Sequence, residues 1–373
     1  MSQSLSPIIK WAGGKEQELK YIIPHIPHNF NNYYEPFVGG GSVFVAINAN
    51  HYFINDRSEE LIQLYNNIKI QEILFFSYLE TIEKIWENTS SFFRNHRDEL
   101  SEIYLRYRSN LISAQTLKKE ISKFCTNKEP DIKNILLHPF DIEGDIFLKE
   151  IETGLFNKMR RMHQLEIKKF NLPDNDIKNN IETAIKGALY MYFRNMYNED
   201  GLGNKQHCAL FFFIRNYAYS GMFRYNKKGE FNVPYGGIAY NNKKLRTKID
   251  LYRNKNLSTL FNRTTIEGLD FQDFFDKYTP NNDDFAFLDP PYDSEFSTYA
   301  QNSFTHDDHK RLAHCLIECL KCKWMMVIKS TPFIQELYSG INGINITSFE
   351  KKYQVSFMNR NGKEATHLLI KNY

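Results

Sequence analysis

Phe285-Ala-Phe-Leu288-Asp289-Pro290-Pro291-Tyr292 is an apolar run of four residues that stops on an acid, two prolines and an aromatic ring. The run has the length of a buried strand, and the prolines prevent it from continuing. They also fix the backbone dihedrals, and their missing N–H groups leave carbonyls able to accept. An acid, a rigid acceptor carbonyl and a ring at a strand's carboxyl edge suit an exocyclic amine on a flat heterocycle. The Asp289 carboxylate and the Pro290 carbonyl can each accept one N–H of such an amine. That draws the nitrogen lone pair out of conjugation and aims it at an electrophile, while Tyr292 offers a stacking face. A tight turn after a strand explains one or two of these residues but not the quartet.

Downstream, Trp324-Met-Met-Val-Ile328 reads as a second buried strand, and His306 to Cys322 reads as an amphipathic helix between the two. Near the beginning, Tyr33 to Phe37 and Tyr52 to Ile54 look like short strands. Ser58 can cap a helix whose first turn carries Glu59 and Glu60. From about Leu61 to Asn198 the pattern is mostly helical, with breaks at Thr126 to Pro130 and at Leu172-Pro173-Asp174. Glycines, a proline and basic residues then crowd from Phe223 to Gly237, and a polar stretch runs on to Arg263. The expected architecture is an α/β domain whose two sequence halves flank a large helical and loop-rich insertion.

Glu35-Pro-Phe37-Val-Gly39-Gly-Gly41-Ser-Val-Phe44 turns a strand end into a glycine cluster. Glycines let a backbone pass close to a ligand, although Phe44 spoils a full G-x-G-x-x-G and such turns also have purely structural uses. Asp56 follows the next strand, where nucleotide-binding sheets hold ribose hydroxyls. It can equally cap the helix behind it, and the two roles are compatible. Lys10-Trp11-Ala-Gly-Gly-Lys15 superficially suggests a phosphate loop, but the pattern needs glycine where Ile9 stands, so nucleotide hydrolysis is rejected.

The chain has 373 residues, with 42% hydrophobic and 24% charged. That composition excludes a disordered or collagen-like protein. The opening Met1-Ser-Gln-Ser-Leu-Ser-Pro7 has no basic-then-apolar signal pattern, and runs such as Cys208 to Ile214 are too short to span a bilayer. With five cysteines, the expectation is a cytoplasmic protein with reduced thiols. Net charge is only +3, yet between Arg215 and Arg263 eleven Lys and Arg face two acids, Glu230 and Asp250. A local +9 leaves −6 for the remainder, the footprint of a phosphate-backbone binder unless the block is simply a solvated loop.

Lys10 to Lys15, Glu35 to Phe44, Asn55-Asp56 and Asp289 to Tyr292 resemble, in order, the motifs of the Dam-type, alpha-ordered (D12 class) DNA adenine-N6 methyltransferases. Arg224-Tyr-Asn-Lys-Lys-Gly-Glu-Phe-Asn-Val-Pro-Tyr-Gly236 resembles their DNA-contacting hairpin. Asn302-Ser-Phe-Thr-His-Asp-Asp308 and Asn359-Arg-Asn-Gly362 resemble two later blocks. The resemblance implies a Rossmann-like methyltransferase sheet with helices on both faces, interrupted by a mostly helical recognition insertion with a β-hairpin. It implies a catalytic domain at 1–66 and 264–373, and a recognition domain at 67–263 with the hairpin near 223–237. An extra insertion at about 113–206 departs from the family pattern.

The same resemblance implies S-adenosylmethionine as cofactor, bound by Trp11, Lys15, Glu35, Phe37, Gly39, Asp56, Asp270, Phe271 and Asp289. Asp289, Pro290 and Tyr292 would receive a flipped-out adenine from double-stranded DNA, with no metal. Arg224, Asn226, Lys228 and Pro234 would read or hold the duplex. It further implies a target containing GA, GATC being the form expected. A cognate restriction endonuclease, a monomeric state and no membrane are the expectations for partners.

Three other readings compete. Related Asp/Asn-Pro-Pro-aromatic motifs serve methyltransferases of RNA adenine or protein amides, but those place the motif much closer behind the glycine strand than the 248 residues that separate Gly41 from Asp289. A non-catalytic DNA-binding protein on the same fold is disfavoured by the intact Asp289 and Tyr292. Cys315, Cys319 and Cys322 have the spacing of an iron–sulfur radical enzyme, but on one face of a predicted helix they read as buried small hydrophobes. His309 and His314 read as surface or interface residues.

Overall fold

A computed structural model describes residues 5–11, 13–168, 171–293, 304–352 and 364–373. Ala12 of the first motif, Asn302 and Ser303 of the later block, and the whole of Asn359-Arg-Asn-Gly362 lie outside them. The chain divides into two compact units. One holds residues 1–72, 222–229 and 250–373, and the other holds 73–221 and 230–249.

The first unit is built on a seven-stranded sheet. Its strands are β1 (Asn32–Glu35), β2 (His51–Asn55), β3 (Thr264–Glu267), β4 (Phe285–Leu288), β5 (Lys323–Lys329), β6 (Asn345–Lys352) and β7 (Glu364–Lys371). Their order is β3-β2-β1-β4-β5-β7-β6. The first five are parallel, and β7 pairs antiparallel with both β5 and β6. The chain lays β2 and β3 on one side of β1, then returns to lay β4 and β5 on the other. The direction of winding therefore reverses between β1 and β4, and a crevice opens at their carboxyl ends.

Alternation sorts the strand residues between the two faces. Tyr34, Ala286, Leu288, Met326 and Ile328 share a core with Phe271, Phe274, Leu312, Ile334 and Tyr338 of the helices on that side. Tyr33 and Tyr52 point the other way, where Tyr52 meets Phe44 and Tyr33 meets Phe285. Phe261 of the helix Lys255–Asn262 and Tyr65 of the helix Glu59–Lys69 pack with Phe44 there. The fully buried Phe285–Leu288 run explains why that segment reads as continuously apolar rather than alternating. The expected Rossmann-like α/β sheet is thus the observed one.

The second unit is helical. A 36-residue helix, Ile73–Arg108, packs with Ala114–Asn127, Gly144–Lys168, Asp174–Asn198 and Asn204–Tyr217. Residues 208 to 217 of the last are buried all round, which marks a core helix. Both expected breaks fall where proline chemistry puts them: Pro130 opens the short helix Glu129–Lys133, and Pro173 precedes Asp174. The Lys186 ammonium is buried against Glu182, the Asn241 carbonyl and the Trp86 ring, and Tyr104, Arg108 and the Leu172 amide surround the Glu166 carboxylate. Among the described residues no helix is long and apolar enough to cross a membrane.

Three local expectations are corrected. The segment expected as a β-hairpin is a turn at Asn226–Gly229 flanked by single bridge residues, with no extended strand among the described residues. The helix expected from His306 to Cys322 is α-helical only over His306–His314. It widens into a π-type turn at Cys315–Cys319, so the three cysteines do not share a helical face: Cys315 and Cys322 are buried and Cys319 is exposed. His309, expected at the surface or an interface, is buried within its own unit against Phe304 and Phe333, whereas His314 is exposed.

Candidate active site

Parallel strands align their carboxyl ends, so residues far apart in sequence gather along one edge of the sheet. Glu35 ends β1, Asn55 ends β2 with Asp56 directly after it, and Asp289 follows β4. Asn55 staples the neighbouring loops: its amide donates to the carbonyls of Pro36 and Leu269, and its oxygen accepts from the Leu269 amide. Sequence reading gave Asn55 no such role. Its signal was only an amide beside Asp56 at a strand end.

The Asp56 carboxylate caps the following helix and also holds the glycine loop. One oxygen accepts from the Ser58 amide at 3.0 Å, where the helix Glu59–Lys69 starts, and the other accepts from the Gly39 amide at 3.0 Å. Burial raises its pKa above the ordinary carboxylate value, and these backbone donors partly restore it. The glycine loop is pressed against the N-terminal segment. A Cβ on Gly39 would stand 2.8 Å from Trp11 Cδ1, and one on Gly40 would stand 2.4 Å from the Ile9 carbonyl oxygen. Gly39 and Gly41 also adopt φ of +48° and +74°, which favour glycine.

Lys15 is the unexpected centre of the site. Its ammonium lies 2.5 Å from Asp289 Oδ2, 3.0 Å from the Tyr292 hydroxyl and 2.8 Å from the Gly13 carbonyl. Burial by itself would lower the Lys15 pKa, but the charges of Asp289, Tyr292 and Glu18 reverse that and raise it. Lys15 therefore stays cationic. Burial acts in the opposite sense on Tyr292 and raises its pKa. Beneath the Tyr292 ring sits His367, edge-on at 5.3 Å, and its Nδ1 lies 3.5 Å from the buried Glu18 carboxylate. Glu35 is buried, accepts from the Tyr33 hydroxyl at 2.9 Å, and is pushed well above the ordinary carboxylate range by burial. The charges of Asp289, Lys15 and Asp56 all act on it, so the four groups share one neighbourhood.

Phe37, Phe271 and Phe304 meet as a triangle with centroid separations of 5.7 to 5.9 Å. Asp270 caps the helix Phe271–Lys277 through the Gln272 amide, and both Arg311 Nη atoms reach its carboxylate at 3.2 Å. The Arg311 guanidinium also stacks 4.8 Å above the Phe271 ring. Phe304 and Arg311 were not singled out from the sequence. They sit in or just behind the Phe-Thr-His-Asp-Asp block, whose pattern was noticed without roles.

Arg224, Lys228 and Pro234 are exposed, and Asn226 accepts from the Lys228 amide to shape the turn. Arg224, Asn226 and Lys228 belong to the sheet-containing unit, and Pro234 to the helical one. The basic block is less available than its +9 suggests. Arg215 is fully buried, Arg263 donates to the Ala49 carbonyl, and Lys243 donates to the Asn216 carbonyl.

Residues 11–355 match the family described as D12 class N6 adenine-specific DNA methyltransferase. The chain is 26% identical to the type II methyltransferase M.CviBI of Paramecium bursaria Chlorella virus NC1A, over 99% of this chain and 100% of that protein. It is 26% identical to the type II methyltransferase M.MjaIII of Methanocaldococcus jannaschii, over 99% of both. A DNA adenine methylase of Haemophilus influenzae is 23% identical over 90% of this chain and 83% of its own length. With acid, ring and glycine loop gathered at the switch point and a family match across nearly the whole sequence, this chain belongs to the D12 class of N6 adenine-specific DNA methyltransferases.

Proposed function

We propose that the methyl donor is S-adenosylmethionine and that the acceptor is a flipped-out adenine in double-stranded DNA. The observation that carries the reading is the Lys15–Asp289–Tyr292 cluster at the crevice between β1 and β4, beside the glycine loop. The residues present suit that donor. Phe37 and Phe271 provide aromatic walls for an adenine ring, with Asp270 at their edge. Asp56 is an acid at the end of β2, suited to ribose hydroxyls. Trp11, Lys15, Glu35, Gly39 and Asp289 complete the proposed pocket. When bound, the donor supplies a methyl group activated by an adjacent sulfonium.

The chain's own contribution is positioning and charge. The target amine is inaccessible inside a duplex, so the base must leave the stack. Asp289 and the Pro290 carbonyl then accept its two N–H bonds, and Tyr292 stacks on the ring. Lys15 holds the Asp289 carboxylate and the Tyr292 hydroxyl together, which fixes the separation between acceptor and stacking face before the base arrives. Glu18 and His367 support that arrangement from below.

Residues 1–66 and 264–373 would form the catalytic domain and 67–263 the recognition domain, with the insertion at about 113–206 as an added part of the latter. Arg224, Asn226, Lys228 and Pro234 would meet the duplex, the cations reaching guanine edges or phosphates. We propose a target containing GA, with GATC the sequence to test first. A cognate restriction endonuclease, a monomeric state and a cytoplasmic location complete the proposal.

Purified protein given S-adenosylmethionine and unmethylated duplex DNA should place N6-methyladenine at one sequence motif, read by sequencing. Asp289→Ala should abolish it. Methylation that requires a different donor would overturn the cofactor reading. Methylation at adenines lacking a 5′ guanine would overturn the proposed target.

A further inference from the structure

The turn that carries Arg224, Asn226 and Lys228 is built onto the wall of the proposed donor pocket. Phe223 packs its ring 5.9 Å from Trp11, and Tyr225 meets Phe223 edge-on at 5.0 Å. The Tyr225 hydroxyl donates to Glu60 Oε1 at 3.2 Å, and the Ser58 hydroxyl donates to Glu60 Oε2 at 3.1 Å. The Ser58 amide donates to Asp56, and Asp56 accepts from the Gly39 amide. Gly39 lies so close beneath Trp11 that a Cβ would stand 2.8 Å from the indole. The contacts therefore close on themselves, from Trp11 through Phe223, Tyr225, Glu60, Ser58, Asp56 and Gly39 back to Trp11.

We propose that Phe223 and Tyr225 are positioning residues that couple target recognition to donor binding. Arg224 sits between the two anchored rings, so the backbone that presents it is set by Trp11 on one side and by the start of the helix Glu59–Lys69 on the other. Donor bound against Asp56 and Gly39 orders that wall. The ordered wall holds the arm in one conformation, and by reciprocity DNA on the arm tightens the donor. This rests on the donor and recognition-arm readings proposed above.

The test titrates the full chain with S-adenosylhomocysteine, with and without saturating unmethylated target duplex. The wild-type chain should bind the analogue at least about fivefold more tightly on duplex, the lower end of usual coupling factors. Tyr225→Phe removes one hydroxyl, and Phe223→Leu removes the ring while keeping an apolar side chain. Each should bring the factor toward unity, with the analogue's affinity in the absence of DNA within about twofold of wild type. Melting temperature is recorded alongside, since loss of fold would weaken both affinities instead of uncoupling them. A wild-type chain that binds both ligands independently, or variants that keep the full factor, overturn this inference alone. A chain that binds no analogue overturns the donor reading and this inference with it.

Discussion

Lys15 lies 2.5 Å from Asp289, a residue 274 positions further along the chain. The pair joins the loop before β1 to the loop after β4, and the Lys15 side chain is only 2% exposed. Removing the cation leaves the Asp289 carboxylate without the charge that opposes it and leaves Tyr292 without its hydroxyl partner. Lys15→Met should therefore slow methyl transfer in a single turnover by about 100-fold, the scale seen when one electrostatic contact to a reacting centre is lost. Lys15→Arg should recover little, because a planar guanidinium does not fit a site shaped for an ammonium. An unchanged single-turnover rate in Lys15→Met would refute the role.

Gly40 approaches backbone rather than a movable side chain. A Cβ there would lie 2.4 Å from the Ile9 carbonyl oxygen, and Ile8 already donates to the Gly40 carbonyl at 2.9 Å. Gly40→Ala should cost about 1–3 kcal/mol of stability by overpacking, measured by denaturant unfolding, together with donor affinity. A variant as stable as wild type would mean that the two segments can separate without penalty.

Arg311 chelates Asp270 at the surface and covers Phe271. Exposed pairs of this kind contribute up to about 1 kcal/mol, so Arg311→Ala should barely move the melting temperature. It should nevertheless weaken donor binding by roughly tenfold, because Asp270 and Phe271 lose their fixed geometry. Calorimetric titration separates the two effects, and equal donor affinity would remove Arg311 from the site.

Burial pushes His309 down from 6.5 to about 4, opposed by Asp293 and Asp308 and reinforced by His306. The unfolded chain takes up that proton near its ordinary pKa and the folded chain only near the lowered one. Between the two values the unfolded state binds more protons, so stability falls as pH drops through that window. The contribution is at most about 3 kcal/mol. His309→Leu should flatten the stability curve there. Parallel curves for the two proteins would contradict it.

Arg224 and Lys228 should separate in a salt titration. Lys228→Ala should weaken binding to all duplexes alike and reduce the slope of log affinity against log salt by about 1. Arg224→Ala should instead relax the preference at one base pair, by about 1–3 kcal/mol if the side chain reaches a guanine. Equal losses on every sequence for Arg224→Ala would place that residue on phosphate.

Local chemistry made much of the fold readable from the chain. Four apolar residues stopped by two prolines specify a buried strand and its end, because proline can neither donate to a ladder nor continue one. Ser58 before Glu59 and Glu60 specifies a helix start, because the hydroxyl accepts from an exposed amide and the two acids suit the positive end of the helix. The breaks at Pro130 and Pro173 follow from the same steric rule. The order of the short motifs was enough to suggest the family, since motif order is a property of the chain alone.

Pairings that depend on long-range packing were not readable. Nothing near Lys15 in sequence names Asp289, and nothing near Glu18 names His367; sheet topology brings them together by returning the chain to β1 and closing β7 against β5. The cysteine helix was misread because periodicity does not reveal a turn that widens at Cys315. Charge counting overstated the basic block, because a count cannot see that Arg215 is buried or that Arg263 and Lys243 serve backbone carbonyls. Sequence alone established β1, β2, β4 and β5, the helix start at Ser58 and the acid that follows β4. Folding decided which cation meets that acid, because parallel strands joined by long crossovers place partners by topology rather than by spacing.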